Sequence, residues 1–229
     1  VSRPGRARRR PWLGPVVVAA AVVGWGAVLP ATRLGPRGRA VLSAAVGAAA
    51  VGAARASGLE RATLGLDPVH LVSGARWGAA AATVPLAAYG VMLAVPSLRA
   101  RLVDEARAER EDFYEWVGLH IPFGTVAAEE LLFRSVLAAL LGPGGAGSGL
   151  HAAAFGLWHV RPARDAGHHV LGTVLVTGLS AVVFDGLRRR SGSVLAPALL
   201  HLALNAGGAV AVRLAGLPPE EDAAAPRRR

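Results

Sequence analysis

Two adjacent carboxylates, Glu129 and Glu130, lie in an apolar run, residues 125–141, that otherwise reads as membrane-spanning. An ionisable group near the centre of a bilayer costs about 3 kcal/mol or more, so chains rarely carry one without a use. Arg134 adds a third charged group one helical turn on. Two later apolar segments each bring a histidine, His159 and His201, and Asn205 follows the second by one turn. Carboxylates, imidazoles and a carboxamide at membrane depth on separate segments predict a buried polar active site.

Spacing assigns first roles. Residues four apart share a helix face, so Glu130 should pair with Arg134 and neutralise both charges in a structural role. Glu129 points about 100° around the helix, over Phe133, with no local partner. An unpaired carboxylate in apolar surroundings suits a general base. Phe155 and His159 share a face, and His159 taken alone reads as an interhelical hydrogen-bonder. His201 and Asn205 also share one, and form a donor set suited to an oxyanion because both can donate without a full negative charge. The remaining histidines (His70, His120, His151, His168 and His169) fall at segment ends, where solvated or interfacial roles are expected. Asp185, beside the arginines 188 to 190, reads as a turn or cap. No Gly-x-Ser-Gly or Gly-x-Gly-Asp context is present, which sets aside serine and aspartyl intramembrane proteases.

The elements that must carry these groups are membrane helices. Hydrophobic residues make up 53% of the 229 residues and charged ones 17%, with mean hydropathy +0.42, an apolar balance foreign to a soluble domain. There are no cysteines, which excludes disulfides, thiol catalysis and cysteine-ligated metal. All 25 basic residues are arginine, which with the Ala and Gly richness looks like codon bias in a GC-rich bacterium. The net charge of +10 does not point to nucleic acid, because the arginines cluster at segment ends like membrane-helix anchors. They divide almost evenly between the two sides, so charge does not orient the chain.

The expected spans are 13–29, 40–54, 77–95, 121–141, 150–160, 170–187 and 194–214. The first, behind the basic run Arg6 to Arg10, is expected to remain as an uncleaved anchor, since no convincing small-x-small cleavage site follows. The second is built of small residues suited to close helix packing. A linker, 57–66, reads as an interfacial turn. Residues 98–116, with Leu98, Leu102, Val103 and Ala106 at helical spacing among charges, read as one amphipathic helix on the membrane surface. The segment 143–149 reads as a flexible turn, and 150–160 is too short to cross unless that turn adds to it. A polar tail rich in Pro, Ala and Arg closes the chain. The expectation is an all-α, polytopic transmembrane helix bundle of about seven or eight spans, residues 1–229 forming one membrane domain.

Taken in order, Glu-Glu-x-x-x-Arg (Glu129, Glu130, Arg134), Phe-x-x-x-His (Phe155, His159) and His-x-x-x-Asn (His201, Asn205) resemble the CPBP family. These are the CAAX-processing and bacteriocin-processing intramembrane endopeptidases, similar to type II CAAX prenyl endopeptidases. The resemblance covers about 113–216, including the stretch from Arg190 to His201. It implies that Glu129 and His159 activate the attacking water and that His201 and Asn205 steady the oxyanion. Glu130, Arg134 and Phe155 would support them. No cofactor is expected, with a zinc site of Glu129, His159 and His201 as the alternative. The implied substrate is a membrane-associated protein or peptide, the surroundings a lipid bilayer, and the location the bacterial plasma membrane, multi-pass. From a different class stands a non-enzymatic immunity or partner-binding protein on the same scaffold, a reading that loss of Glu129, His159 or His201 would favour. A transporter is set aside because no internal repeat or paired broken helices are evident.

Overall fold

The computed structural model describes residues 13–105 and 110–217. The basic run Arg6 to Arg10, Ala106 and the polar tail beyond residue 217 lie outside the described residues. All regular structure among the described residues is helical. Helix α1 is Leu13–Val28, α2 Pro36–Ala56, α3 Leu71–Ala94 and α4 Pro96–Glu105. A long helix, α5, runs through residues 113–141, and α6 (Gly145–Trp158) and the short α7 (Val160–Asp165) follow. Helices α8 (Val170–Ser191) and α9 (Leu195–Gly216) complete the bundle.

Five segments are long and apolar enough to cross a membrane: Leu13–Ala31, Pro36–Ala56, Pro68–Ala94, Val170–Ser191 and Leu195–Gly216. Their outward faces carry exposed Val84, Val91, Leu175, Leu179 and Val183, among others. Water would penalise such faces and lipid does not. The chain is an integral, multi-pass membrane protein. Helix α5 is not among the five, and its middle, with Glu129, Glu130 and Arg134, is buried inside the bundle.

Small residues set the helix spacing. A Cβ on Gly47 of α2 would lie 3.2 Å from the Ala128 carbonyl oxygen of α5, and one on Gly156 of α6 only 2.6 Å from the Val174 carbonyl oxygen of α8. Backbones therefore touch at both crossings, as the small-residue composition of the second segment predicts.

Several boundaries differ from the sequence expectation. The amphipathic stretch is not one surface helix: α4 covers Pro96–Glu105, Arg110 lies outside any helix, and Phe113 already begins α5. Leu102 is buried against Ala211 and Ala215 of α9, so this face meets protein where lipid was expected. The turn after α5 is confined to residues 142–144, with Gly142 at φ +67° and Gly144 at φ +147°. Gly145 to Gly149 are helical and lengthen the fifth segment to 14 residues, about 21 Å at 1.5 Å per residue. That is short of the roughly 30 Å hydrocarbon core, so α6 does not cross it alone. The linker 57–66 packs onto the bundle: Leu64 is fully buried, and the Gly65 carbonyl accepts from the Val194 N–H.

Candidate active site

The site is built on α5, whose backbone is unusual. Over residues 116–127 and 130–137 it is wound as a π-helix, with turns wider than those of an α-helix, and at the end of the second stretch the Ala138 N–H reaches the Phe133 carbonyl five residues back. Widened turns of this kind are frequent at functional sites. Glu129 and Glu130 sit at the joint between the two widened stretches, both buried.

Arg134 is wholly inaccessible and lies flat between two rings, 3.8 Å from the centroid of Phe155 (α6) and 4.5 Å from that of Phe184 (α8). Its Nη1 is 3.5 Å from Glu130 Oε1. The pair expected from i,i+4 spacing is present, as a contact looser than a hydrogen bond. None of the three guanidinium nitrogens has a hydrogen-bond partner among the described residues, and desolvated guanidinium–ring contacts, worth up to about 2 kcal/mol each, share with the carboxylate in holding the cation.

Glu130 has a second partner. His201, on α9, places Nδ1 2.9 Å from Glu130 Oε1. Its other nitrogen, Nε2, faces Glu129 Oε2 at 3.9 Å. The imidazole stacks on Phe184 at 5.4 Å between centroids with the planes 29° apart. One ring therefore reads both carboxylates, whereas helix spacing alone assigns the two glutamates to separate faces.

Glu129 is not without a partner, as its sequence neighbours would suggest. The indole N–H of Trp158, near the end of α6, donates to Glu129 Oε1 at 3.0 Å. Glu129 Oε2 and Glu130 Oε2 are buried and have no hydrogen-bond partner among the described residues.

His159 closes α6 at its junction with α7, half-buried. Its Nδ1 donates to the Phe155 carbonyl at 2.8 Å, and its ring meets Phe155 edge-on at 4.8 Å. With Nδ1 carrying the hydrogen, a neutral His159 leaves Nε2 as an acceptor. Asn205, half-buried, lies one turn beyond His201 on α9. The structure thus gathers Glu129, Glu130, Arg134, Phe155 and His201 into one contact network. His159 and Asn205 stand at its edge, joined through Phe155 and through α9 respectively.

The zinc set Glu129, His159 and His201 does not fit as drawn. The 3.9 Å between His201 Nε2 and Glu129 Oε2 could be bridged by one ion, but among the described residues no three His, Asp or Glu side chains converge on a common point. His201 Nδ1 is committed to Glu130.

Three participants escape the motif reading. Trp158 lies next to a candidate histidine and Phe184 beside Asp185, but an aromatic in a membrane helix carries no signal of its own. The third is a buried pair, His151 and Asp185, with Nδ1 2.8 Å from Oδ2, off the in-line direction of a hydrogen bond. Neither is solvated or capping: His151 is 1% exposed and Asp185 6%. His120 is also buried, against Glu115, while His168 and His169 are exposed as expected.

Residues 113–207 match the family model described as Type II CAAX prenyl endopeptidase Rce1-like. No curated protein and no solved structure shows significant similarity to the chain. The matched stretch runs from the first residue of α5 to the middle of α9 and contains every residue of the network above.

Proposed function

We propose that this chain, whose residues 113–207 match the type II CAAX prenyl endopeptidase family model, is an intramembrane endopeptidase that hydrolyses a peptide bond of a membrane-associated protein or peptide by a glutamate-based mechanism. One observation carries the reading. Glu129 Oε2 is buried and unbonded, its sister oxygen is held by an indole, and an imidazole nitrogen faces it at 3.9 Å. A carboxylate fixed at one oxygen and free at the other is poised to bind a water and take its proton.

In the proposed reaction, Glu129 Oε2 and the acceptor Nε2 of His159 hold the water and direct its lone pair at the scissile carbonyl. As the C–O bond forms, the water proton passes to Glu129 and the carbonyl π electrons move onto oxygen. The oxyanion accepts hydrogen bonds from His201 Nε2–H and the Asn205 amide, the set that spacing on α9 suggests. For His201 to donate from Nε2 while Nδ1 faces Glu130, both nitrogens must carry hydrogen, and the Glu130 carboxylate balances that charge. Collapse breaks the C–N bond, and the proton on Glu129 goes to the departing amine.

The test is proteome-wide cleavage mapping with detergent-purified protein against Glu129→Gln and His159→Ala. Both variants should stay folded and lose the parental cleavages. Parental turnover in either sinks the assignment, and the absence of any specific cleavage by the parent favours a non-enzymatic protein. Metal-stripped enzyme should keep its activity. Loss on chelation with recovery on stoichiometric zinc would move His201 from donor to ligand.

A further inference from the structure

Beside the network, and separated from it by Phe133 and Arg134, lies a second polar cluster that none of the above uses. A cavity of about 270 Å³ is lined by His151, Asp185, Arg188 and Arg189 together with Thr63 and Ser148. His151, from the second turn of α6, directs Nε2 at the Phe133 carbonyl of α5 at 3.1 Å. A carbonyl only accepts, so Nε2 carries the hydrogen. That carbonyl also accepts from the Ala138 N–H five residues on, where the widened stretch closes. One residue further, the Arg134 carbonyl accepts from Arg188 Nε at 3.1 Å, and the same guanidinium is tied to the Thr63 carbonyl in the linker. Asp185 Oδ2 lies 2.8 Å from His151 Nδ1 and 4.0 Å from Arg189 Nη1.

Two consecutive carbonyls of α5, those of Phe133 and Arg134, thus receive side-chain donors from α6 and α8. Burying an imidazole and a carboxylate is costly unless they are paired, and a purely apolar core would avoid the cost. What the pair contributes is direction: it fixes the Phe133 carbonyl at which the widened stretch of α5 ends, beside the Arg134 carbonyl held by Arg188. Glu129 and Glu130 lie one turn before those carbonyls, so the same fixation sets where the carboxylates point.

We propose that His151 and Asp185 form a positioning pair for the glutamate site: with hydrogen on both ring nitrogens, His151 is an imidazolium whose Nδ1 the Asp185 carboxylate holds by charge at 2.8 Å while its Nε2–H holds the widened turn of α5. The inference rests on the glutamate mechanism for its kinetic consequence and on hydrogen-bond geometry for its structural one. Misplacing a reacting group by about 1 Å costs up to about a hundredfold in rate. His151→Ala should therefore lower kcat by about tenfold to a hundredfold with KM little changed, since the pair does not touch substrate.

The experiment measures kcat and KM on a fluorescence-quenched, S-farnesylated Cys-aliphatic-aliphatic-X peptide for His151→Ala, Asp185→Asn, the double variant and His151→Gln. The two single losses should not add in the double variant, because both remove one device. His151→Gln, which keeps an N–H within reach of the Phe133 carbonyl, should recover most of the rate. Additive losses, unchanged kcat in His151→Ala, or no recovery by the glutamine overturns the pair. Nitrogen-15 NMR of histidine-labelled parent protein, assigned with His151→Gln, reads the geometry independently: Nε2 of His151 should be protonated and hydrogen-bonded. If the parent cleaves neither this peptide nor any protein in the proteome-wide mapping, the hydrolase reading fails and this signal alone decides the pair, an unprotonated Nε2 refuting it.

Discussion

Gly26, on α1, has no room for a side chain, and the atoms it would strike belong to the indole that holds Glu129. A Cβ at this position would lie 2.6, 2.9 and 3.0 Å from Cε3, Cδ2 and Cζ3 of Trp158. Carbons pack at about 3.5–4.0 Å, so the ring must retreat by about 1 Å. It has little freedom to do so: Trp158 is 7% exposed, its ring sits edge-on to Phe133 at 5.5 Å, and Nε1 is bonded to Glu129. Overpacking of this kind costs about 1–3 kcal/mol. If the indole N–H also leaves the carboxylate, a bond to a charged group worth about 1.5–3 kcal/mol goes with it. In the proposed mechanism the displaced group aims the base, so Gly26→Ala should lower kcat by about tenfold to a hundredfold, out of proportion to its stability loss. Gly24→Ala is the control, because a Cβ there meets nothing within 4 Å. Peptide-cleavage rates and thermal unfolding midpoints in detergent, measured for both variants, decide the matter. Parental kcat and midpoint in Gly26→Ala would show that α1 does not press on Trp158 and that the Trp158–Glu129 bond does not position the base.

Two further outcomes follow from charges the fold has paired. Removing Arg134 strands Glu130 beside His201 alone and empties the space between Phe155 and Phe184. Arg134→Ala should cost about 3–5 kcal/mol, read as a lower unfolding midpoint and a lower yield of folded protein, and a variant as stable as the parent would refute the pair. Arg134→Lys keeps the charge but not the planar stack and should fall between. At the far end of α5, Glu115 accepts from Arg37 Nε and Nη2 at 2.6 and 2.7 Å and faces His120 at 3.0 Å. Hydrogen bonds from Arg37 first, then His120, push its carboxyl from the ordinary 4.5 down to about 2. A depressed carboxyl stabilises above its unfolded value, so the excess stability of parent over Glu115→Gln should be full above pH 4.5 and vanish as pH falls through 2. Because Arg37 is 79% exposed, that excess should also shrink with added salt, and an excess that grows in acid would contradict the pairing.

Composition and periodicity made the bundle legible, because lipid demands long apolar helices and leaves few alternatives. The residues of the site were legible for the same reason: Glu129, Glu130, Arg134 and His201 stand out as polar groups where none is tolerated without partners. Their partners were not legible. Trp158 and Phe184 look like ordinary lipid-compatible aromatics until the fold turns one toward a carboxylate and the other onto an imidazole. His151 and Asp185 were misread because each lies near a segment end in sequence. Glycines 145 to 149 join α6, which carries His151 inward, and α8 continues to Ser191, past the arginines expected to stop it. Interfacial position was inferred from segment limits that the helices do not respect.

The two glutamates differ by their surroundings more than by their helix faces. Glu130 is shared by a guanidinium and an imidazole, and its charge is spent locally. Glu129 has a neutral indole on one oxygen and nothing on the other. With hydrogen on both nitrogens of His201, as the proposed mechanism requires, two carboxylates face one guanidinium and one imidazolium, and the cluster carries no net charge. Attack of water then moves one proton onto Glu129 as one negative charge appears on the substrate oxygen beside His201. The cluster and its bound substrate stay neutral in sum from the resting state through the tetrahedral intermediate. In a low-dielectric interior, where an uncompensated charge costs several kcal/mol, that constancy is itself a catalytic contribution. In the proposed mechanism this gives Glu130 a purpose without proton transfer: without it, Glu129 alone would face both the Arg134 guanidinium and the His201 imidazolium, and the cluster would carry a buried net positive charge.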